Sequence, residues 1–212
     1  MQNLVLTKIA YLIELLSLIV GIFMLFKHKD IIIRLLSLYL ILNVGLETVF
    51  LFIYQVENNI KYHNTLTLVN FTLFFILFYK SLDKERNKKI VVTGAVTYYL
   101  TFILSIVFYN NYLIESTSLA NIIGTIILAV FIMLYYFEVL YSEKVLYIKR
   151  DVFFWFTVGA LLYYTGNIPF ELMINFNLSA YTSIFYINYL LCIIFYSCFI
   201  LGFLLHKSRR IL

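Results

Sequence analysis

Soluble globular chains carry about 25% charged residues; this one carries 13% in 212 residues. The shortfall excludes an ordinary water-facing surface. There is one proline, Pro169, which excludes proline-rich linkers, and there are two cysteines, Cys192 and Cys198, too few for a disulfide-built scaffold. The cysteines lie six residues apart in one apolar run, on largely different faces of a helix, so they read as buried small residues rather than a disulfide or metal pair. Also missing are a glycine-rich phosphate loop, a His-x-x-x-His metal pair and a Gly-x-Ser-x-Gly elbow. Neither a metal site nor a soluble-enzyme active site is expected. Lys and Arg outnumber Asp and Glu, 16 to 11, but they are scattered over short loops. No basic stripe exists for nucleic acid to follow, so no nucleic-acid partner is expected.

What is present is apolar. Hydrophobic residues make up 63% of the chain and aromatic residues 19%, more than a soluble domain of this length can hide from water. Lipid must be the solvent for most of it. Seven apolar runs reach membrane-spanning length, at about 4–26, 31–54, 60–82, 90–109, 117–141, 152–175 and 181–205. Backbone groups in lipid must be satisfied within the segment, so the runs are read as helices. They lack the short alternating pattern of a membrane barrel. The first run is too long for a cleaved signal and no small-x-small site follows it, so it is expected to stay in the mature protein. The fold class is therefore all-α integral membrane, with residues 1–212 forming one seven-helix domain.

Loop charge gives the orientation. Lys27 and Lys29 follow run 1, Lys80, Lys84, Arg86, Lys88 and Lys89 follow run 3, Lys144, Lys149 and Arg150 follow run 5, and Lys207, Arg209 and Arg210 follow run 7. The alternate loops, at about 55–59, 110–116 and 176–180, contain no Lys or Arg. The positive-inside rule then places the N-terminus outside and the C-terminus in the cytoplasm.

Run 2 contains Asn43-Val44-Gly45-Leu46-Glu47 and run 6 contains Asn167-Ile168-Pro169-Phe170-Glu171. Both read Asn, apolar, helix-weakening residue, apolar, Glu. The following run carries a mid-depth Asn in each case, Asn70 and Asn188. This predicts two parallel three-helix repeats, about 4–82 and 117–205, joined by a linker helix at about 90–109.

That three-plus-one-plus-three layout with an outside N-terminus resembles the transporter–opsin–receptor superfamily. The group includes PQ-loop-like sugar transporters, vitamin transporters, microbial rhodopsins and seven-helix sensor modules of bacterial histidine kinases. The Gly166-Asn167 pair in run 6 is also similar to a set of small bacterial seven-helix membrane proteins. The resemblance implies a bacterial cytoplasmic membrane protein that either moves a small solute or senses one and signals to a separate cytoplasmic partner. The chain departs from the pattern in several places. Run 7 has no lysine, so no retinal cofactor is expected, and there is no Pro-Gln pair. Membrane-embedded ether-lipid hydrolases have a similar size, but their acidic catalytic pattern has no counterpart here, so an enzyme is not expected.

The candidate site residues are the polar groups inside the runs. An ionisable residue at the bilayer centre costs about 2.5–3.5 kcal/mol on insertion scales, so it is retained where it has a partner or a use. Glu14 falls near the midplane of run 1, and Asn43 and Glu47 fall in the outer half of run 2. Asn167 and Glu171 lie nearer the outer surface, His63 sits near the outer face, and Asn70 and Asn188 are deeper. The four-residue spacing places each Asn and its Glu on one helix face. These residues, with Tyr164, are expected to line a polar cavity that carries a proton or binds a cationic or hydroxyl-rich solute. Gly166 and Pro169 are expected to act as a hinge, because proline frees an upstream carbonyl. Arg34 is a candidate partner for Glu14. Glu138 reads as a loop-paired or solvated charge. An oligomeric channel or structural subunit is the remaining alternative.

Overall fold

The computed structural model describes residues 2–49, 60–108, 118–175 and 183–206, and every long element among them is helical. Helix α1 spans Gln2–Lys27. A short turn leads to Asp30, whose Oδ1 accepts the Ile32 amide hydrogen at 2.8 Å and caps α2, Ile31–Leu40. The rod continues as a π-helical segment, Ile41–Gly45, and a short α3, Leu46–Val49. There follow α4, Ile60–Ser81; α5, Glu85–Phe108; α6, Ser118–Leu140; a 3₁₀ turn, Glu143–Arg150, capped by Ser142; α7, Val152–Asn175; and α8, Ser183–Leu205.

The helices close into a ring. α1 packs on α2 and α8, α8 on α7, α7 on α6, α6 on α5 and α4, and α4 on α5 and α2. Helix α4 runs deepest. Phe71, Phe74, Phe75 and Phe78 recur at the i, i+3, i+4, i+7 spacing of one helix face, and all are buried. They meet Tyr98 of α5, Phe131 of α6 and Phe153 and Phe156 of α7, with ring centroids 4.7–5.8 Å apart in the pairs Phe71–Tyr98, Phe75–Phe131, Phe78–Phe153 and Phe74–Phe156. Tyr39 stacks on Phe199 at 5.7 Å. Such ring pairs contribute about 0.5–1.5 kcal/mol each beyond their buried area. These rings form the centre of the bundle interior, while Phe23, Phe26, Phe108, Phe137 and Tyr141 stand on its outer faces.

The outer faces are apolar too. Leu12, Leu16, Ile19, Phe23 and Phe26 form an exposed stripe along α1, and Val92, Val96, Leu100, Ile103 and Val107 form one along α5. A helix in water would place polar side chains there. Lys8–Lys27, Glu85–Phe108, Leu119–Leu140 and Tyr186–Leu205 are 20–24 residues long and apolar enough to cross a membrane; about 20 residues cover the roughly 30 Å hydrocarbon core. Helices α4 and α7 have the length, 22 and 24 residues, but carry the Asn, Thr and Tyr residues that dilute their hydropathy.

α7 and α8 meet along a seam of small residues. A Cβ on Gly159 would stand 3.2 Å from the Phe195 carbonyl oxygen, and one on Gly166 would stand 2.6 Å from Leu191 Cδ1. Close backbone approach of this kind is how helices associate where lipid removes the hydrophobic drive.

One end of the bundle gathers the basic residues. The buried Glu138 carboxylate of α6 accepts the Asp83 and Lys84 backbone amides at 2.7 and 3.1 Å and the Asn87 side-chain amide at 2.7 Å, fixing the α4–α5 link. Lys144 pairs with Asp83 across the same end. Tyr135 donates to Asp151 at 2.9 Å, and the Trp155 ring nitrogen donates to the Lys149 carbonyl at 3.0 Å. The His28 and His206 rings meet edge to face at 5.1 Å, joining the ends of α1 and α8. Burial and the facing His28 hold His206 below the ordinary histidine value.

Candidate functional site

The π segment decides the local chemistry. A widened turn shifts the backbone pairing. At its edge the Asn43 side-chain amide donates to the Tyr39 carbonyl at 2.8 Å. The second Asn43 N–H donates to Asn70 Oδ1 at 2.7 Å, and Asn70 Nδ2 donates back to Asn43 Oδ1 at 2.7 Å. Both residues are buried, 7% and 8% exposed. The Tyr39 carbonyl fixes the orientation of both amides: turning Asn43 over would set oxygen against oxygen. Beyond the π segment, Thr48 Oγ1 donates to the Val44 carbonyl at 2.6 Å and accepts from the Tyr11 hydroxyl of α1 at 3.1 Å. The irregular stretch is therefore held from two sides, by α4 and by α1.

Glu14 lies on α1, 7% exposed. Its Oε1 accepts the Cys192 thiol of α8 at 2.8 Å. Ser17 donates to its backbone carbonyl at 2.7 Å. Glu47, at the start of α3, is exposed, and its neighbour Thr48 accepts from Tyr11, one turn before Glu14, so the two carboxylates stand on facing stretches of α1 and α3. Tyr163 of α7 and Tyr196 of α8 lie within the field of both carboxylates. Among the described residues the ion pairs are Lys88–Glu85 and Lys144–Asp83, so neither Glu14 nor Glu47 is neutralised by a described basic side chain. Arg34 is exposed and forms neither pair, so the polar partner of Glu14 is a thiol instead.

The structure thus brings together two groups of the candidates. Asn43 and Asn70 form one with the Tyr39 carbonyl; Tyr164 lies beside the Tyr39 side chain and packs on Phe74 at 5.4 Å. Glu14 and Glu47 form the other with Cys192, Tyr163 and Tyr196. Glu171 joins neither: its carboxylate interacts with Asn121 of α6. Asn167 Oδ1 is buried without a hydrogen-bond partner among the described residues, and so is Asn121 Oδ1. Asn188 is half-buried on α8. The His63 side chain lies outside the described residues. Gly166 faces Leu191, and Pro169 sits inside α7, which is α-helical over Val152–Asn175. A π-helical segment interrupts the second rod at Ile41–Gly45.

Tyr39, Tyr196 and Asn121 were not among the residues singled out in the sequence, and Cys192 was read there as a buried small residue rather than a site residue. Two had a readable signal: Tyr39 stands four residues before Asn43 and Cys192 four after Asn188, the spacing of one helix face. No cluster of three or more His, Cys, Asp or Glu side chains with metal-binding geometry occurs among the described residues. Fold and site together have the dimensions and composition of a membrane protein whose polar groups turn inward. Comparison with protein families, with curated proteins and with solved structures finds no match.

Proposed function

We propose that the chain is a small-solute transporter of the bacterial cytoplasmic membrane in which Glu14 and Glu47 hold the positive charge that moves, either a coupling proton or a cationic solute. The observation that carries this reading is the contact between their stretches: Tyr11, one turn before Glu14, donates to Thr48, the residue after Glu47, at 3.1 Å. Two carboxylates on different helical segments, one of them buried, share a field without a described basic partner. Burial and a like-charge neighbour both disfavour leaving two bare anions together. A positive guest relieves both. The tyrosine hydroxyls and the Cys192 thiol supply further polar contacts around it.

In this reading all the long helical rods cross the bilayer, with α2, the π segment and α3 making a single crossing. Seven crossings then place the N-terminus outside and the basic end in the cytoplasm. The residues Lys27, Lys84, Arg86, Lys144 and Arg150, all at that end, support the orientation. The three-helix units on either side of α5 move against each other around the carboxylates.

The test is uptake by purified protein in liposomes enclosing a pH-sensitive dye, challenged with a panel of small organic cations and polyols. At least one solute should enter and move protons, and Glu14→Gln should reduce the initial rate by about tenfold or more without altering the protein's elution profile. Saturable binding with no flux in the wild-type chain would instead make it a receptor. Non-saturating conductance would make it a channel.

A further inference from the structure

An elongated groove of about 500 Å³ runs between α5 and α6 on the outer face of the bundle. Arg86 and Lys89 stand at one end, and Ile90, Gly94, Ile127 and Phe131 are among the residues lining its length. We infer that this groove binds one acyl chain of an anionic phospholipid whose phosphate sits between Arg86 and Lys89. The inference uses only the membrane placement of α5 and α6, two of the four helices that meet the length and apolarity of a span. It does not depend on the transport reading.

Three observations carry it. First, both cations are exposed and neither is used by an ion pair among the described residues, where Lys88 pairs with Glu85 and Lys144 with Asp83. Second, the groove is apolar along its length despite its threonines. Thr93 Oγ1 donates to the Lys89 carbonyl and Thr97 Oγ1 to the Thr93 carbonyl, each at 3.0 Å, so their hydroxyls are satisfied within α5. Gly94 lets α5 and α6 close up beneath the groove and form its floor: a Cβ there would stand 2.5 Å from the Phe131 ring. Third, the length fits. From Arg86 to Thr97 is eleven residues, about 16 Å at a rise of about 1.5 Å per residue. One leaflet of a roughly 30 Å hydrocarbon core is about 15 Å deep. A lipid whose phosphate meets the cations at the α5 end therefore lays its chain along the groove to the bilayer midplane. Basic pockets between helices at a membrane surface select anionic headgroups by this charge complementarity.

The experiment measures lipid bound to the purified chain by native mass spectrometry after equilibration with equimolar phosphatidylglycerol and phosphatidylcholine of identical chains. The wild-type protein should retain phosphatidylglycerol in preference by on the order of tenfold. The double variant Arg86→Gln, Lys89→Gln should bring the two lipids to parity. Thr97→Phe, which fills the groove but keeps both charges, should lower retention of both lipids. Lys149→Gln with Arg150→Gln, basic residues at the same end but outside the groove, should keep the preference. Equal retention of the two lipids by the wild-type chain would overturn the inference. So would a loss of preference in the Lys149, Arg150 variant as large as in the Arg86, Lys89 variant.

Discussion

Asn43-Val44-Gly45-Leu46-Glu47 and Asn167-Ile168-Pro169-Phe170-Glu171 share a pattern and have opposite structures. The proline-containing stretch is a regular α-helix, while the stretch without proline widens into a π turn. In the first, Asn43 gives one N–H to the Tyr39 carbonyl and exchanges hydrogen bonds with Asn70, so three of its four hydrogen-bonding positions are filled. In the second, Asn167 Oδ1 is buried with nothing donating to it among the described residues. Glu47 lies near another carboxylate, and Glu171 lies near an amide. The lesson is that the two stretches differ in the partner met across the bundle, Asn70 for Asn43 and none among the described residues for the Asn167 oxygen, and not in the helix-weakening residue. A proline alone does not break the helix: α7 runs through Pro169 as an α-helix.

The comparison can be broken most forcefully at Asn70. Asn70→Leu leaves two Asn43 groups buried and unpaired, and should lower unfolding stability in mixed detergent micelles by about 2 kcal/mol. If stability is unchanged, the amide pair does not hold the π segment. Pro169→Ala restores a backbone donor in α7 and should raise stability, by about 1 kcal/mol, part of the roughly 3 kcal/mol that an interior proline costs a helix. A loss on this change would mean that the freed carbonyl has another use. Asn167→Leu removes an unpartnered acceptor and should shift stability by no more than about 0.5 kcal/mol, in contrast to Asn70→Leu. A cost as large as that of Asn70→Leu would erase the asymmetry between the two stretches.

The smallest effect concerns the bundle's basic end. His206 is held below its unfolded value of 6.5. The unfolded chain therefore takes up a proton first as pH falls, and stability is lost from about 6.5 downward to the folded value. Thermal unfolding should show a shallow decline over that window in the wild-type chain and a flatter profile in His206→Phe. Identical profiles would remove His206 as the source.

Much of the architecture was legible because lipid imposes few solutions. The helical runs appear in the structure within a few residues of their expected ends wherever residues are described, since apolar length and charged flanks mark both. The interior was partly legible: Asn43, Glu47, Asn70 and Glu14 stand out as polar groups in apolar runs. The Glu14 and Asn43 partners Cys192 and Tyr39, and the Glu171 partner Asn121, did not, because they pass for ordinary core or surface residues until the helices are assembled. The π turn was illegible for a related reason. Its Asn43 meets Asn70 across 27 positions of sequence, and no local propensity encodes that distance. The 3₁₀ turn at Glu143–Arg150 likewise sits in what reads as a charged loop.

The central claim is that the first carboxylate pair, and not the second Asn–Glu stretch, is the site where charge is carried. Dye-loaded liposomes compare Glu14→Gln, Glu47→Gln and Glu171→Gln directly under one solute gradient. The account predicts that both Glu14→Gln and Glu47→Gln lose about tenfold or more of the rate, while Glu171→Gln stays within about twofold of the wild type. Loss of flux in Glu171→Gln with flux retained in Glu47→Gln would contradict it.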